Sequence, residues 1–303
     1  MGEIAPPVRG LARELWRRPR TRFASCVLLL LAAGALVGPM VLPEHYARPG
    51  AAAFLAPCAA HPFGTDLNGR DLLYRVLSGA RVSLLVGLAG ALVSLGVGTL
   101  YGMVAGYAGG RVDAAMMRLV DVLYSVPRLI FILIFINTFD AALKDRLVEL
   151  GFPALAGWSR LVILILALGL IEWLTMARIV RGQVLALKQA PFVTAARALG
   201  QSHPQIVLRH LLPNLAGVIL VYLTLTIPAV ILDESFLSFL GLGIQAPQAS
   251  WGLLLSDGAQ VINPVRSYWW LLLFPAVTMS LALLAFNFLG DGLRDLLDPR
   301  SRR

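Results

Sequence analysis

Residues 82–110 read VSLLVGLAGALVSLGVGTLYGMVAGYAGG and contain no Asp, Glu, Lys or Arg. A helix needs about 20 apolar residues to cross a hydrocarbon core about 30 Å thick. The rest of the chain agrees: 58% of its 303 residues are hydrophobic, 14% are charged, and the mean hydropathy is +0.75. Soluble domains are about 45–50% apolar and about 25% charged. The sequence therefore predicts an all-α integral membrane protein.

Six transmembrane helices are expected from the positions of the charged residues. Three other long runs are also free of charge, and two weaker runs are interrupted by Arg128 and by Glu172. In chain order, the predicted spans are residues 23–42, 82–110, 121–139, 161–177, 211–232 and 267–290. Long uncharged stretches separate the basic residues, so the excess of 26 Lys and Arg over 17 Asp and Glu does not indicate a nucleic-acid-binding face.

The basic residues predict the orientation. With the N-terminus inside, seventeen Lys and Arg residues lie on the cytoplasmic side of the spans and eight on the outer side. Basic residues near span ends favour the cytoplasm, so both termini are expected there. The predicted organisation is a cytoplasmic segment at 1–22, a first span at 23–42, an extracytoplasmic loop at 43–81, a transmembrane core at 82–290 and a cytoplasmic tail at 291–303.

An alanine-rich cytoplasmic loop is predicted between spans four and five, at residues 181–210. Its apolar positions recur at helical spacing and are Phe192, Ala195, Ala196 and Leu199. Gly200 supplies a C-terminal stop, and Ser202 with Gln205 has the capping-box pattern of a new helix. A helix lying on lipid headgroups would favour bulky apolar residues and lysines. The small side chains favour close docking against a partner protein.

Part of this loop carries a resemblance to a known family. Thr194-Ala-Ala, Gly200 and Leu212-Pro213 resemble the EAA loop of binding-protein-dependent ABC importer permeases, Glu-Ala-Ala-x3-Gly-x9-Ile-x-Leu-Pro. Thr194 replaces the glutamate of that pattern and His210 replaces the isoleucine. The resemblance implies an ATPase-coupling surface made of Phe192, Thr194, Ala195, Ala196, Arg197, Leu199, Gly200, Leu212 and Pro213.

Other segments between His61 and Pro299 resemble the dipeptide, oligopeptide and nickel branch of the same family, in its C-type permease subunit. They are residues 61–71 (HPFGTDLNGRD), 78–87, 118–121, 236–243, 250–252 and 287–299. The resemblance implies a MetI-like permease fold in the bacterial inner membrane. It also implies a second permease subunit, two cytoplasmic ABC ATPases and an extracytoplasmic substrate-binding protein. Peptides are the implied cargo, with nickel or another small solute as the alternative.

The motifs that the chain lacks bear on its chemistry. It has no Gly-x-x-x-x-Gly-Lys-Ser/Thr phosphate loop, so ATP is expected to be used by partner ATPases and no cofactor is expected on this chain. Neither His-Glu-x-x-His nor Gly-x-Ser-x-Gly occurs, which argues against an intramembrane enzyme. Cys26 and Cys58 form no metal-ligand or disulfide pattern. An autonomous channel or ion-coupled carrier is the alternative from another class, but it leaves the alanine-rich loop without a partner.

The charged residues inside the predicted spans have two interpretations. A charge near the middle of a membrane costs about 2.5–3.5 kcal/mol on insertion scales, so Arg128 and Glu172 must face protein or water. They line the translocation path or they pair with each other. Asp233 and Glu234 end span five on the outer side, where solvation is expected.

Three other features are open at this point. Gly98, Gly102, Gly106 and Gly110 form a stripe that either packs helices together or lines a substrate path. Trp251 and Gly252, in the loop at 233–266, are expected to contact the binding protein, with a re-entrant or packing loop as the alternative. Pro213 and Pro228 are expected to kink span five.

Overall fold

The computed structural model describes residues 11–42, 48–50, 52–245, 248–262 and 266–297. Most of these residues are helical. The helices are α1 (Leu11–Arg17), α2 (Pro19–Val41), α3 (Leu72–Ala108), α4 (Gly110–Ser125), α5 (Arg128–Glu149), α6 (Pro153–Ala156), α7 (Ser159–Leu187), α8 (Pro191–Ala198), α9 (His203–Ile206), α10 (Leu212–Phe239), α11 (Trp251–Gln260) and α12 (Trp270–Leu297). A π-helical turn, Val207–Leu211, joins α9 to α10. Some of the predicted cytoplasmic charges lie outside the described residues: Arg9, Arg300, Arg302 and Arg303.

Within the described residues, five helices are long and apolar enough to cross a membrane: α2, α3, α7, the helix of residues 203–239, and α12. α4 and α5 pass the same test only when they are taken together, and they bend by 88° at their junction. With this bent pair counted as one span, the predicted number of six is confirmed.

The bend between α4 and α5 lies inside the predicted span 121–139. Val126 is extended, with φ −79° and ψ 126°, because a following proline ring disfavours the α conformation. Arg128 then begins α5 after Pro127. The predicted span 121–139 is therefore divided between α4 and α5, and Arg128 lies at the bend.

Three helices extend beyond the predicted spans. α3 begins at Leu72, α7 continues to Leu187, and α10 continues to Phe239. A charged residue ends a hydrophobic run without ending a helix, since Arg, Lys and Glu are good helix formers. The cations that follow the fourth span therefore lie on a helix and not in a loop.

The two prolines of the fifth span have different surroundings. α10 continues through Pro228, whereas the turn before Pro213 is the π-helical turn. A proline at position 213 cannot donate to the carbonyl of Arg209, and its ring crowds that carbonyl. The π-helical turn, which is wider than an α-helix, includes Arg209, where this crowding occurs.

The chain divides into two compact units. The described part of the first comprises residues 11–18, 89–227 and 290–297. Its core contains Met103, Met176, Val180, Val184, Val193, Ala196, Ile206, Leu211 and Leu215. The described part of the second lies within residues 19–88 and 228–289. Its core contains Leu72, Val76, Leu254, Trp270 and Leu271.

In the first unit, the glycine stripe of α3 packs against α7. A Cβ atom at Gly98 would lie 2.7 Å from the Trp173 carbonyl oxygen, and one at Gly106 would lie 2.9 Å from the Arg181 carbonyl oxygen. The packing interpretation is therefore confirmed for these positions, because small residues let helix backbones approach closely. Gly110 does not belong to the stripe, since it begins α4 with φ +54° and has open space beside it.

Candidate functional site

The candidate coupling element is α8, in the predicted cytoplasmic loop. Pro191 occupies its first turn, where a missing backbone donor causes no loss. Val193 and Ala196 are buried in the core of the first unit, and Ala196 is only 3% exposed. One face of α8 is thus fixed to its own chain.

The end of α8 is a Schellman motif at Gly200. Gly200 has φ +76°, and its N–H donates to the Arg197 carbonyl at 2.9 Å. The Gln201 N–H donates to the Ala196 carbonyl at 3.2 Å. Glycine adopts this left-handed conformation without a Cβ clash. The predicted helix stop is confirmed.

The opposite side of α8 is exposed, and we call it the α8 edge. It consists of Phe192, Thr194, Ala195, Arg197 and Leu199. Leu199 is 80% exposed. Ala196 was wrongly expected to contact a partner. It lies three residues after Val193, so the two share the buried face.

The helix that follows α8 is fixed by local hydrogen bonds. The Ser202 N–H donates to Gln205 Oε1 at 3.1 Å, which confirms the predicted capping box. His210 Nε2 and Gln201 Oε1 lie 2.7 Å apart, so the histidine that replaces the isoleucine of the EAA pattern connects the turn to the next helix. Leu212 packs against the core of the first unit and Pro213 is exposed.

Tyr107, near the end of α3, is a contact that sequence reasoning missed. Its hydroxyl lies 2.8 Å from His203 Nδ1, and its carbonyl accepts a hydrogen bond from Lys188 Nζ. The Arg197 guanidinium carbon is 5.8 Å from the centre of its ring, within the range of a cation–π contact. Tyr107 therefore connects Lys188, Arg197 and His203 of the predicted loop to α3.

Two ion pairs join α4 to α7. Arg181 donates to both carboxylate oxygens of Asp113, at 2.5 and 2.7 Å. Arg178 Nη2 donates to Asp121 Oδ1 at 2.6 Å. The bidentate geometry of the first pair restricts both side chains to one orientation. The signal available in the sequence was two acidic residues on α4 and these two cations near the end of α7, but spacing alone does not pair them.

Arg128 and Glu172 lie together, as one of the two interpretations proposed. Arg128 Nη2 donates a hydrogen bond to Glu172 Oε1. The Arg128 side chain is 47% exposed, whereas the Glu172 side chain is 14% exposed. The pair therefore consists of a covered carboxylate and a partly accessible guanidinium.

A cavity of about 330 Å³ adjoins this pair. Its lining residues are Leu123, Tyr124, Ser125, Val126, Pro127, Arg128, Ile171, Glu172, Leu174 and Thr175. The Tyr124 hydroxyl and Thr175 Oγ1 are 2.5 Å apart, and the Arg178 guanidinium lies 4.1 Å from the centre of the Tyr124 ring. The pairing interpretation is confirmed. The two side chains also border a cavity, and their place on the translocation path stays a prediction.

Glu234, in the second unit, has different surroundings from those expected. It is completely buried, so the expectation of solvation was wrong. Ser238 Oγ donates to its Oε1 at 2.7 Å, and Ser83 Oγ donates to its Oε2 at 3.1 Å. The Ile244 N–H donates to Ser238 Oγ at 3.0 Å. The Trp251 N–H donates to Ser83 Oγ at 3.2 Å. The carboxyl group therefore helps fasten the segment after α10.

Trp251 and Gly252 do not form an exposed contact surface. Trp251 is fully buried, and Gly252 packs directly against the backbone of Ser235. The expectation that they contact a binding protein was wrong. Their segment is a packing element that begins α11, and Ser250 Oγ caps it by accepting from the Leu253 N–H at 3.2 Å.

The motif at residues 61–71 also has a structural centre. Asp66 accepts hydrogen bonds from Arg70 Nε at 2.8 Å and from Arg75 Nη1 at 2.9 Å. Arg75 Nη1 also donates to Asp257 Oδ2 at 2.9 Å. Where the chain is described, His, Cys, Asp and Glu side chains form no group of three or more that could hold a metal ion.

A comparison with known families places these features. The family described as "Binding-protein-dependent transport system inner membrane component" matches residues 98–303. The chain belongs to this family.

Individual members of the family match almost the whole chain. The dipeptide transport system permease protein DppC of Bacillus subtilis (strain 168) is 44% identical over 305 residues, which cover 99% of this chain and 89% of the relative. The oligopeptide transport system permease protein OppC of Escherichia coli (strain K12) is 45% identical over 301 residues, which cover 96% of this chain and 93% of the relative. OppC of Haemophilus influenzae is 47% identical over 244 residues, which cover 80% of this chain and 71% of the relative.

Proposed function

We propose that this chain is a permease subunit of an ATP-driven importer of dipeptides or oligopeptides. The names of its relatives support the substrate class. The observation that carries the proposal is the α8 edge, which presents exposed Phe192 and Leu199 on a helix whose other face is buried in the chain. Such a helix can transmit a partner's movement, because α8 cannot shift without shifting the core that contains Ala196.

The same arrangement identifies the elements that would move. Val193 and Ala196 share their core with Met176 and Val184 of α7 and with Leu215 of α10. Packed cores move as rigid elements between discrete arrangements and do not deform continuously. A force applied to the α8 edge would therefore reach two membrane-crossing helices.

The partners follow from the same family. We propose that two cytoplasmic ATPases bind and hydrolyse ATP, that a second permease subunit completes the translocation path, and that an extracytoplasmic protein delivers the peptide. The chain itself acts as a transport subunit and not as an enzyme. The proposed location is the bacterial inner membrane with both termini in the cytoplasm, which places the α8 edge beside the ATPases.

Co-purification separates this proposal from an autonomous carrier. Detergent-solubilised wild-type chain, isolated from cells that express the neighbouring transport subunits, should retain ATPases and hydrolyse ATP. The purified chain alone should bind no nucleotide, because it has no phosphate loop. Peptide uptake by the chain alone in liposomes would contradict the proposal. Uptake of nickel by the full assembly, with no uptake of peptide, would reassign the cargo.

A further inference from the structure

The cavity bordered by Arg128 and Glu172 lies where α4 and α5 meet. α4 and α5 bend by 88° at Val126 and Pro127, and the lining includes residues on both sides of the bend. Non-helical backbone at membrane depth is tolerated where it is buried in protein or lines a water-filled cavity. In transporters, discontinuous helices often form the substrate site. The cavity at the bend is therefore a candidate ligand site.

The charges in the cavity differ in accessibility. Glu172 is mostly covered, whereas nearly half of the Arg128 side chain is exposed. A guanidinium carries its N–H donors in a planar fork whose geometry matches the two oxygens of a carboxylate. Arg128 is thus the side chain of the pair that suits a carboxylate, and Glu172 is the one that suits an ammonium group.

The neutrality of the pair selects the class of ligand. A free carboxylate bound at Arg128 would leave one negative charge in excess, and a free amine bound at Glu172 would leave one positive charge in excess. Excess charge is costly where water is scarce. A ligand that carries both groups adds no net charge, so a zwitterion is favoured over either ion alone.

The volume limits what part of a ligand can enter. About 330 Å³ lies at the lower end of the roughly 300–1,000 Å³ of typical ligand pockets. This is enough for a very short peptide or for part of a longer one. The hydroxyls of Tyr124 and Thr175 add polar groups to the wall.

We propose that Arg128 and Glu172 form a binding site for a zwitterionic peptide, in which Arg128 takes the terminal carboxylate and Glu172 takes the terminal ammonium. This inference rests on the proposed function, whose substrate class it refines. The ion pair seen in the structure is then the unliganded state. In this state Glu172 lies where the peptide carboxylate would bind Arg128, and Arg128 lies where the peptide ammonium would bind Glu172.

The first test is uptake of tri-alanine by the complete importer in liposomes, with the wild-type binding protein present throughout. The double variant Arg128→Gln/Glu172→Gln keeps hydrogen-bonding side chains but removes both charges. We expect it to assemble with the partner subunits and to take up tri-alanine about tenfold more slowly, because charged hydrogen bonds to the ligand are lost. Arg146→Gln/Glu149→Gln is the matched control. That pair is exposed at the end of α5, so uptake should equal that of wild type.

A second variant covers the case in which the double variant fails to assemble. Arg128→Lys keeps the charge and the ion pair but loses the planar fork that binds a carboxylate through two hydrogen bonds. We expect assembly, together with a several-fold higher peptide concentration for half-maximal uptake. Wild-type uptake in Arg128→Lys, or in an assembled double variant, would show that the pair is only structural and would overturn the inference.

The third measurement uses the permease complex without the binding protein. Thr175→Cys, made in a Cys26→Ser/Cys58→Ser background, places a thiol on the cavity wall. Tri-alanine should slow its alkylation several-fold, and N-acetyl-tri-alanine amide, which lacks both end charges, should not. Equal protection by the two peptides would contradict the site. If the wild-type importer shows no ATP-dependent uptake of tri-alanine at all, the proposed function fails and not this site alone.

Discussion

Gly102 on α3 lies so close to α7 that a Cβ atom at position 102 would come within 2.5 Å of the Ala177 carbonyl oxygen. A backbone carbonyl in a helix cannot rotate aside as the end of a flexible side chain can. In a membrane, helix association depends on close packing, since lipid tails are as apolar as the side chains they replace. This contact therefore limits how close α3 and α7 can be.

We expect Gly102→Ala to destabilise the protein. The added methyl group must separate the two helices, and overpacking of this kind costs about 1–3 kcal/mol. Gly96→Ala is the control, because it lies on the same helix and its Cβ would meet nothing within 4 Å. The measurement is the unfolding temperature in detergent. Equal temperatures for the two variants would mean that the helices separate without cost.

Neighbouring alanines on α8 should give opposite kinds of defect when changed to aspartate. Ala196→Asp places an unpaired carboxylate in the core of the first unit, which strongly destabilises a fold. We expect little folded protein in the membrane. Ala195→Asp lies on the α8 edge, so it should leave the fold intact and reduce retention of the ATPases.

Two measurements separate these outcomes. The amount of each variant in the membrane reports folding, and ATPase pull-down normalised to that amount reports docking. Normal membrane content of Ala196→Asp would contradict its burial. Full ATPase retention by Ala195→Asp would remove this part of α8 from the proposed interface.

The spans and the coupling helix were predictable because their signals are local. Charge-free runs reveal membrane crossings, and Gly200 and the capping pattern at Ser202 reveal helix ends within a few residues of sequence. The α8 helix was also placed correctly. The sequence did not distinguish the buried face of α8 from its exposed face, because alanine is compatible with both. Ala196 is buried, whereas its neighbour Ala195 is exposed.

The errors concern contacts between residues that are distant in the chain. Glu234 follows Asp233 at the end of an apolar run, which gives no sign of burial. In the structure it is buried and accepts a hydrogen bond from Ser83, which is distant in the chain. Trp251 lies in a segment with loop-like composition, yet it packs into the second unit. The bend at Pro127 was missed because residues 121–139 were interpreted as one span in spite of the proline.

Gly200→Val should disturb the turn between α8 and α9. Valine is β-branched and strongly disfavours φ +76°, and the strain is about 1–2 kcal/mol for an ordinary residue in this region. Gly200→Asn is the matched variant, because asparagine tolerates the left-handed region. We expect Val to lower both ATPase retention and peptide uptake, and Asn to lower them much less. Equal effects of the two would show that the conformation of residue 200 does not matter for coupling.

Glu234→Leu should loosen the segment after α10, because Ser83 and Ser238, which donate to the carboxyl group, would lose this acceptor. A buried unsatisfied polar group costs about 1–3 kcal/mol. Glu234→Gln retains an acceptor oxygen and should be milder. The measurement is limited proteolysis of the purified protein, followed by mass spectrometry of the cleavage sites. We expect faster cleavage between residues 240 and 250 in the Leu variant, and unchanged cleavage there would show that the carboxyl group does not fasten this segment.

The predicted orientation can be tested with a native thiol. Cys58 is exposed and lies in the loop assigned to the outer side, so an impermeant maleimide should label it in spheroplasts, whose inner membrane is accessible. Cys26 is also exposed, but it lies within the first span, where the surrounding lipid excludes a charged reagent.

Ser202→Cys, in a Cys26→Ser/Cys58→Ser background, places a thiol at the exposed start of α9 and should react only after the membrane is permeabilised. The excess of basic residues on the assigned inner side is the physical reason for this result. Labelling of Ser202→Cys in sealed spheroplasts, with no labelling of Cys58, would reverse the orientation and place α8 on the side away from the ATPases.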